Sequence, residues 1–511
     1  MMDVEGMEFK DCMIDGDTRI ELINGRIADV ENGCYYGKDV RIIIQNGKIM
    51  SMPGDIGEQS KIKGDLVVDL KGKAVIPGLF NTHSHVQWFT MPMLTGEAKD
   101  KQVLREMEDC LKHGVTNIRD ALTDSLHLNR DLKEKIEKGE IKGPRIHQAI
   151  YISPIGGTFA PYNGKIKKML LSLLNMKPMD YNSSDSGAVV FSPSASEQDV
   201  KDAVDRAIDE RGAEFIKIYD QTEKGITYKP GAQIMTEQQL ESAINQAQRR
   251  GVKTMIHQLT LNSFRRGIKA GVSSLAHIPY DDLLNEKDIK DFLESGCIIE
   301  PTLSVLYHLC WNTPKNNLKE NIHYDRLVKF RNETYKSLAN EFWAPEFKDK
   351  FILQFDDLSK GKMKMLGIID ISYIFNYYAK WLSNGIRNMK MLFENGTDIR
   401  FACGNDACVG ACSISAVKHE LDMFNFCLNE AECNDSFNGK QALKVATINS
   451  ARMLGLENDF GSISPGKVAD LAIVDGDPFA DYRIIGAPVS ALFLNGKLLI
   501  NNCGLELSSR E

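Results

Sequence analysis

Three patterns of apolar and polar positions follow one another along the chain. The first stretch carries short alternating runs, IELINGRIADV, DVRIIIQNGKIMSM and DLVVDLKGKAVIPG, two of them with an NGR or NGK turn. Period-two alternation broken by such turns predicts a small β-sheet unit. The pattern then changes. Eight apolar runs read as strands: AVIPGLFNTH, VTNIRDA, RIHQAIYIS, EFIKIYD, KTMIHQL, SSLAHIP, CIIEPTLSV and DIRFACGND. Amphipathic stretches separate most of them, among them VLREMEDCLKHG, DVKDAVDRAIDERG, QQLESAINQAQRRG and SFRRGIKAG, and several end in Gly, a helix C-terminal signal. Eight β–α units predict an α/β fold, a parallel (β/α)₈ TIM barrel, over residues 77–460. From residue 461 the β-pattern returns in FGSISPGKVADLAIVDGDPFADY and APVSALFLNGKLLI. Segments 1–76 and 461–511 are expected to form the two halves of one small β-sandwich, with the barrel inserted between them.

Two stretches exceed a minimal barrel. Residues 161–195 hold the run KIKKMLLSLL and the polar loop YNSSDSG. Residues 310–385 read as a helical insertion with Trp311, Phe342, Trp343, Phe347, Tyr373, Phe375, Tyr377, Tyr378 and Trp381. Loops after barrel strands frame the active site, so these segments are read as a lid or specificity wall, or equally as helices packed on the barrel or against another subunit.

Composition narrows the partners. The 511 residues are 43% hydrophobic and 26% charged, and the net charge is −8 with no basic tract. Phosphate neutralisation needs clustered Lys and Arg, so nucleic acid is not an expected partner. No apolar run approaches the about 20 residues of a membrane span, and MMDVEGMEFKDCM does not read as a signal peptide. Eleven Cys without a CxxC pair suit reduced thiols in a cytoplasmic protein. Cys403, Cys408 and Cys412 flank Asp406 at a spacing that fits no zinc pattern. The expected partner is a small-molecule substrate; self-association into a homo-oligomer stays open.

Six residues at or near strand ends carry the chemistry. His83 and His85, in NTHSH, stand at i and i+2 of a strand and point the same way, so they can reach one ion together. Lys217 lies in the apolar run EFIKIYD, where a charged ammonium facing the barrel interior is costly unless it snorkels outward. Burial lowers an amine's pKa, and a neutral amine can take up CO₂ to give a carbamate with two oxygens for two ions. His257 and His277 close successive strands and suit a second ion, or pack as core histidines. Asp406 ends the eighth run. A carboxylate there can touch a metal and take a proton from its water, or cap a helix.

These motifs together resemble the amidohydrolase superfamily, and more narrowly its carboxylated-lysine prolidase and imidazolonepropionase-like branch. The resemblance runs over nearly the whole chain: VIPGLFNTHSHV, GVTNIRDA, GAEFIKI, AGVSSLAHIP, GCIIEPTLSV and ATINSARMLGLENDFGSISPGKVADLAIVDGDPFADY each match a family segment. It implies a binuclear metal hydrolase acting on carbon–nitrogen bonds. His83 and His85 would hold the more buried ion, His257 and His277 the second, and Lys217 as its N6-carboxylate would bridge them. Asp406 would bind the first ion and act as general acid and base toward a metal-bridged hydroxide. Zinc is the expected metal for such N/O ligands, with manganese or cobalt as alternatives.

The chain departs from the family at SPIGGTFAP, where GGHG is common, at HQL for HAH or HAY, and at GND for GTD. These departures are expected around the substrate. The implied substrate is a dipeptide or N-acyl amino acid. A deaminase or cyclic-amide hydrolase is the alternative, and a non-catalytic scaffold a further one. Deaminases of this superfamily typically use one ion and lack the strand-four lysine, so Lys217 weighs toward amide hydrolysis. Tyr219, two residues beyond Lys217, is read as a substrate contact or a packing aromatic, and Arg119 and His147 as candidates for a substrate carboxylate.

Overall fold

The computed structural model describes residues 18–37, 41–52, 64–86, 97–123, 125–157, 183–220, 233–305, 364–365, 369–370, 372–395, 400–407, 413–430 and 437–509. Among them the barrel strands run in sequence order: Leu79–Ser84, Val115–Asp120, Arg145–Pro154, Phe215–Tyr219, Lys253–His257, Ser274–Ala276 and Ile298–Glu300, each parallel to the next. The eighth, around Phe401, is irregular. It closes the ring through parallel bridges Ile299–Phe401 and Ser84–Ala407, with Thr82 N–H donating to Cys403 O at 2.8 Å. Inward-facing Phe80, Ala121, Ala149, Phe215, Met255, Ala276, Ile298 and Ala402 fill the interior as one apolar cluster.

Helices cover the outside because each pairs an apolar stripe with firm ends. Ser196, Thr236 and Asn285 open helices Glu197–Asp209, Glu237–Arg249 and Glu286–Ser295 with capping boxes. Gly296, at φ +73°, ends the last of these in the left-handed conformation that turns the chain into the next strand.

The two chain ends meet in one sandwich. One sheet has the order Leu507–Ser509, Leu66–Asp69, Ile20–Ile23, Ile42–Gln45, Lys48–Ser51. The other has Lys497–Asn501, Ala491–Leu494, Leu471–Val474, Ala74–Pro77, Arg26–Asp29, Cys34–Tyr35. Ile20, Leu22, Ile44, Val68, Val75, Leu471, Ile473 and Phe493 pack between them. Ala74, Ile76, Ala472 and Val474 point the other way and join the barrel's core. Both faces of this second sheet are buried, which is why AVIP and LAIV are continuous apolar runs.

Three readings are corrected here. AVIPGLFNTH is two strands: Ala74–Pro77 pairs antiparallel with Leu471–Val474 in the sandwich, and only Leu79–Ser84 enters the barrel. The change of sheet falls at Gly78, where a Cβ would lie 2.2 Å from Thr116 Oγ1. The NGR turn makes no hairpin, because Ile20–Ile23 and Arg26–Asp29 belong to opposite sheets; the NGK at Asn46–Gly47 does. Residues 161–195 contain a further strand, Ala188–Phe191, parallel to the third barrel strand.

Most of the 310–385 insertion, including Trp311, Phe342, Trp343 and Phe347, lies outside the described residues. Helix Ser372–Glu394 leads out of it toward the eighth strand. Its C-terminal half is fastened to the loop after strand six: Asn384 Nδ2 donates to Tyr280 O at 3.0 Å, and Asn388 Nδ2 to Pro279 O at 2.9 Å. No helix among the described residues is long and apolar enough to cross a membrane.

Candidate active site

The six strand-end residues converge at the C-terminal mouth of the barrel. Asp406 Oδ1 lies 3.0 Å from His85 Nε2 and 3.3 Å from His83 Nε2, and ligand atoms of these three residues all fall within 4.8 Å of one another. Lys217 Nζ is 3.5 Å from His83 Nε2. The His83 and His277 rings are 5.2 Å apart, and His277 Nε2 is 2.7 Å from His257 Nδ1. All six are buried.

Hydrogen bonds behind the rings choose their tautomers. His83 Nδ1 faces Glu300 Oε1 at 3.0 Å, and His85 Nδ1 faces Leu122 O at 3.0 Å. His277 Nδ1 is 2.6 Å from Thr302 Oγ1, whose own proton goes to Pro301 O. A carboxylate and a carbonyl only accept, and the committed hydroxyl must accept too, so each Nδ1 carries the proton. The Nε2 lone pairs of His83 and His85 are then aimed at a carboxylate oxygen. Lone pairs converging in a buried site are repulsive unless a cation lies among them, and this donor set suits a divalent ion. The Lys217 ammonium supplies some positive charge there.

Electrostatics follow from burial. Burial, with the Lys217 charge beside it, lowers His83 to about 4, and burial lowers His277 to about 3. It also pulls Lys217 from 10.5 down to about 8, against the opposing fields of Glu300 and Asp406. Burial alone would raise Asp406, but His83, His85 and His277 hold it well below the ordinary carboxylate range.

The backbone is bent to deliver these groups. His277, Thr302 and Asp406 stand at φ +71°, +49° and +51°. Gly404 lets the eighth strand pass against the first, since a Cβ there would meet His83 Cβ at 2.8 Å. Asn81 and Asn405 lace the two strands together: Asn81 Nδ2 donates to Asn405 Oδ1 and to Ile414 O, both at 2.8 Å.

Tyr219 is stacked on His257, with centroids 3.9 Å apart and planes 13° from parallel. Arg119 and His147 are not placed as substrate contacts. Arg119 is wholly buried beneath the histidines, held by Thr82 O and Glu300. His147 enters low on strand three, with Nε2 3.1 Å from Asn117 Oδ1 and in register with Arg119, below the Lys217 level. The GND and HQL departures also serve structure. Asn405 Nδ2 donates to Ser413 O at 2.8 Å, and Gln258, fully buried, donates to His277 O at 2.8 Å. In SPIGGTFAP, Thr158 and the residues after it lie outside the described residues.

Two residues behind the site escaped sequence reasoning, Glu300 and Thr302. Glu300 gave a signal: it is the one charged residue in CIIEP, as Lys217 is in FIKIY. Thr302 gave none.

A barrel with buried histidine, carboxylate and lysine donors at its C-terminal mouth, capped by a sandwich of both chain ends, defines a class of hydrolase. The amidohydrolase family model matches residues 74–499, and the chain belongs to that family. It is therefore an enzyme of the hydrolase type that acts on carbon–nitrogen bonds. It is 23% identical over 491 residues to a 5'-deoxyadenosine deaminase of Methanobrevibacter smithii, covering 92% of this chain and 90% of that one. Other curated relatives match locally. A 5'-deoxyadenosine deaminase of Methanosarcina acetivorans is 39% identical over 16% of each chain. An imidazolonepropionase of Picrophilus torridus is 41% identical over 14% of this chain and 18% of its own. Among solved structures, a Xaa-Pro dipeptidase with bound methionine aligns with TM-score 0.66 at 20% identity, over 94% of this chain and 99% of its own. The ochratoxinase of A. niger aligns with TM-score 0.64 at 17% identity, over 95% and 96%. At such identities these structures speak for the fold.

Proposed function

We propose that the chain hydrolyses the amide bond of a small carboxamide, a dipeptide or an N-acyl amino acid, with two divalent ions, zinc by preference, as cofactor. The observation that carries this reading is the buried Lys217 among four histidines and Asp406. A lysine with its amine lowered to about 8 stays mostly protonated at cellular pH, but its neutral fraction, the form able to take up CO₂, is far larger than that of an ordinary lysine. As a carbamate it would offer two oxygens between the His83–His85 side and the His257–His277 side. Bound metal would lower the pKa of a water and polarise the scissile carbonyl. Asp406 takes the proton from the attacking water and returns it to the leaving amine. Tyr219, stacked on His257, is proposed to line the substrate side.

A specific observation favours a second reading, deamination: the deaminase of M. smithii matches nearly end to end. The metal count separates the two. Amide hydrolysis through a bridged pair expects two ions per chain, falling to one or none in Lys217→Ala, with cleavage of dipeptide or N-acyl amino acid libraries and no ammonia from nucleosides. One ion per chain in the unaltered protein, unchanged in Lys217→Ala, together with ammonia release from 5'-deoxyadenosine, would reverse the assignment.

A further inference from the structure

Beneath His83 an ion pair crosses the barrel. Arg119 comes from strand two and Glu300 from strand seven, and both are wholly buried. Arg119 Nη2 donates to Glu300 Oε1 at 2.7 Å, and that same oxygen lies 3.0 Å from His83 Nδ1. Arg119 Nε donates to Thr82 O at 2.7 Å, the carbonyl just before His83. The pair therefore grips His83 twice, at its ring and at its backbone.

The way the pair is made shows what it serves. An Arg–carboxylate pair left to itself takes the two-bonded fork geometry. Here one oxygen serves both the guanidinium and the imidazole, while Arg119 Nη1 is buried with no hydrogen-bond partner among the described residues. Well-packed hydrocarbon commonly does as well for stability as a buried ion pair, so an imperfect one needs another reason to be there. The Arg119 guanidinium also lies 5.2 Å above the Phe215 ring, fixed against the barrel core.

We propose that Glu300, held by Arg119, is a positioning residue for His83: it fixes the Nδ1–H tautomer and the ring plane, and so presents Nε2 to the more buried ion. Thr302 stands to His277 as Glu300 stands to His83, but without charge. The proposal rests on the metal reading above and assigns the pair no contact with substrate.

Three measurements test it. The first needs no variant: the histidine ¹⁵N spectrum of the metal-free protein, assigned through His83→Gln, is expected to show His83 protonated on Nδ1. Protonation on Nε2 would overturn the proposal. The second removes both charges at once in Arg119→Met/Glu300→Leu, so that no lone ion is left buried. With a metal-free circular dichroism spectrum like that of the parent, zinc affinity in chelator competition is expected to fall about 10- to 100-fold. The Co²⁺ absorption spectrum should change with it. In the third, Glu300→Gln, which keeps an acceptor for Nδ1–H, should recover most of that loss. Parental affinity and an unaltered Co²⁺ spectrum in the folded double variant would overturn the proposal while leaving the metal centre intact. Failure of the parent protein itself to bind zinc or Co²⁺ would overturn the metal reading and this inference together.

Discussion

His277, Thr302 and Asp406 hold positive φ at three adjacent strand ends, and none is glycine. Such conformations cost about 1–3 kcal/mol each and persist where surrounding contacts over-determine them. Here the contacts are the ring-to-acceptor bonds and the Asn81–Asn405 lacing. Asp406→Asn keeps the shape and removes the base. Turnover is expected to drop about 10²- to 10⁴-fold with the fold unchanged, measured as kcat against the melting temperature. A second residue makes a prediction about pH. Burial raises Glu106 from 4.5 to about 7, although Ile414 N–H donates to its Oε2 at 2.9 Å and Gln102 Nε2 to its Oε1 at 3.1 Å. Between those pH values the folded carboxyl keeps a proton that the unfolded one has lost. Glu106 thus favours folding most below pH 4.5 and progressively less as pH rises to about 7. The penalty above pH 7 is about 3 kcal/mol at most. Glu106→Gln, with its amide turned toward Gln102, should be stabilised relative to the parent at pH 8 and not at pH 4.5, read from melting temperatures across that range. The six candidate ligands were legible because each is a polar residue within or at the end of an apolar run. Glu300 and Thr302 were not, since their meaning depends on which ring they face across the barrel, and strand register alone does not give that.

At the scale of elements, the barrel helices are set by local chemistry. Thr236 Oγ1 accepts from Gln239 N–H at 3.2 Å, and the Gln239 side chain accepts from Thr236 N–H at 3.0 Å. Thr236→Ala is expected to cost about 1 kcal/mol in chemical denaturation and to leave kcat alone, because helix Glu237–Arg249 lies outside the barrel. This local logic made seven barrel strands and their helices readable from periodicity and end signals. It fails where the chain changes partners in extended conformation. Nothing in AVIPGLFNTH marks a switch of sheets except Pro77–Gly78, and IELINGRIADV carries a hairpin signal without making one. The strand Ala188–Phe191 is only four residues long and sits in a stretch read as loop. The eighth strand was legible as an apolar run, yet forms isolated bridges at Phe401 and Ala407 in place of a ladder, with Asp406 carried between them.

At the scale of the molecule, barrel and sandwich are mutually dependent. The sheet containing Ala74–Pro77 and Leu471–Val474 sends Val75 and Ile473 into the sandwich and Ile76 and Ala472 into the barrel's core. Phe493 is fully buried on the sandwich side of that sheet. Phe493→Ala is expected to cost about 3–5 kcal/mol and to lower the melting temperature of the whole protein, the barrel losing its structure in the same transition. Two separate transitions, with only the first moved, would show that the units unfold independently. Sequence pattern led correctly to the pairing of the two chain ends because both carried the same short β-runs. The layering of one sheet against two cores was not visible in it.

That shared sheet also sets a clock. Pro77 and Leu471 are register partners 394 positions apart. At about 5–20 residues per second of synthesis, roughly 20–80 s pass between the appearance of one and of the other. Through that interval the edge of Ala74–Pro77 that will receive Leu471–Val474 has no partner, and every metal-ligand candidate is made before the interval ends. An apolar strand edge waiting that long is open to pairing with another nascent chain. The yield of active protein should therefore depend on what shields that edge until Leu471–Val474 is made.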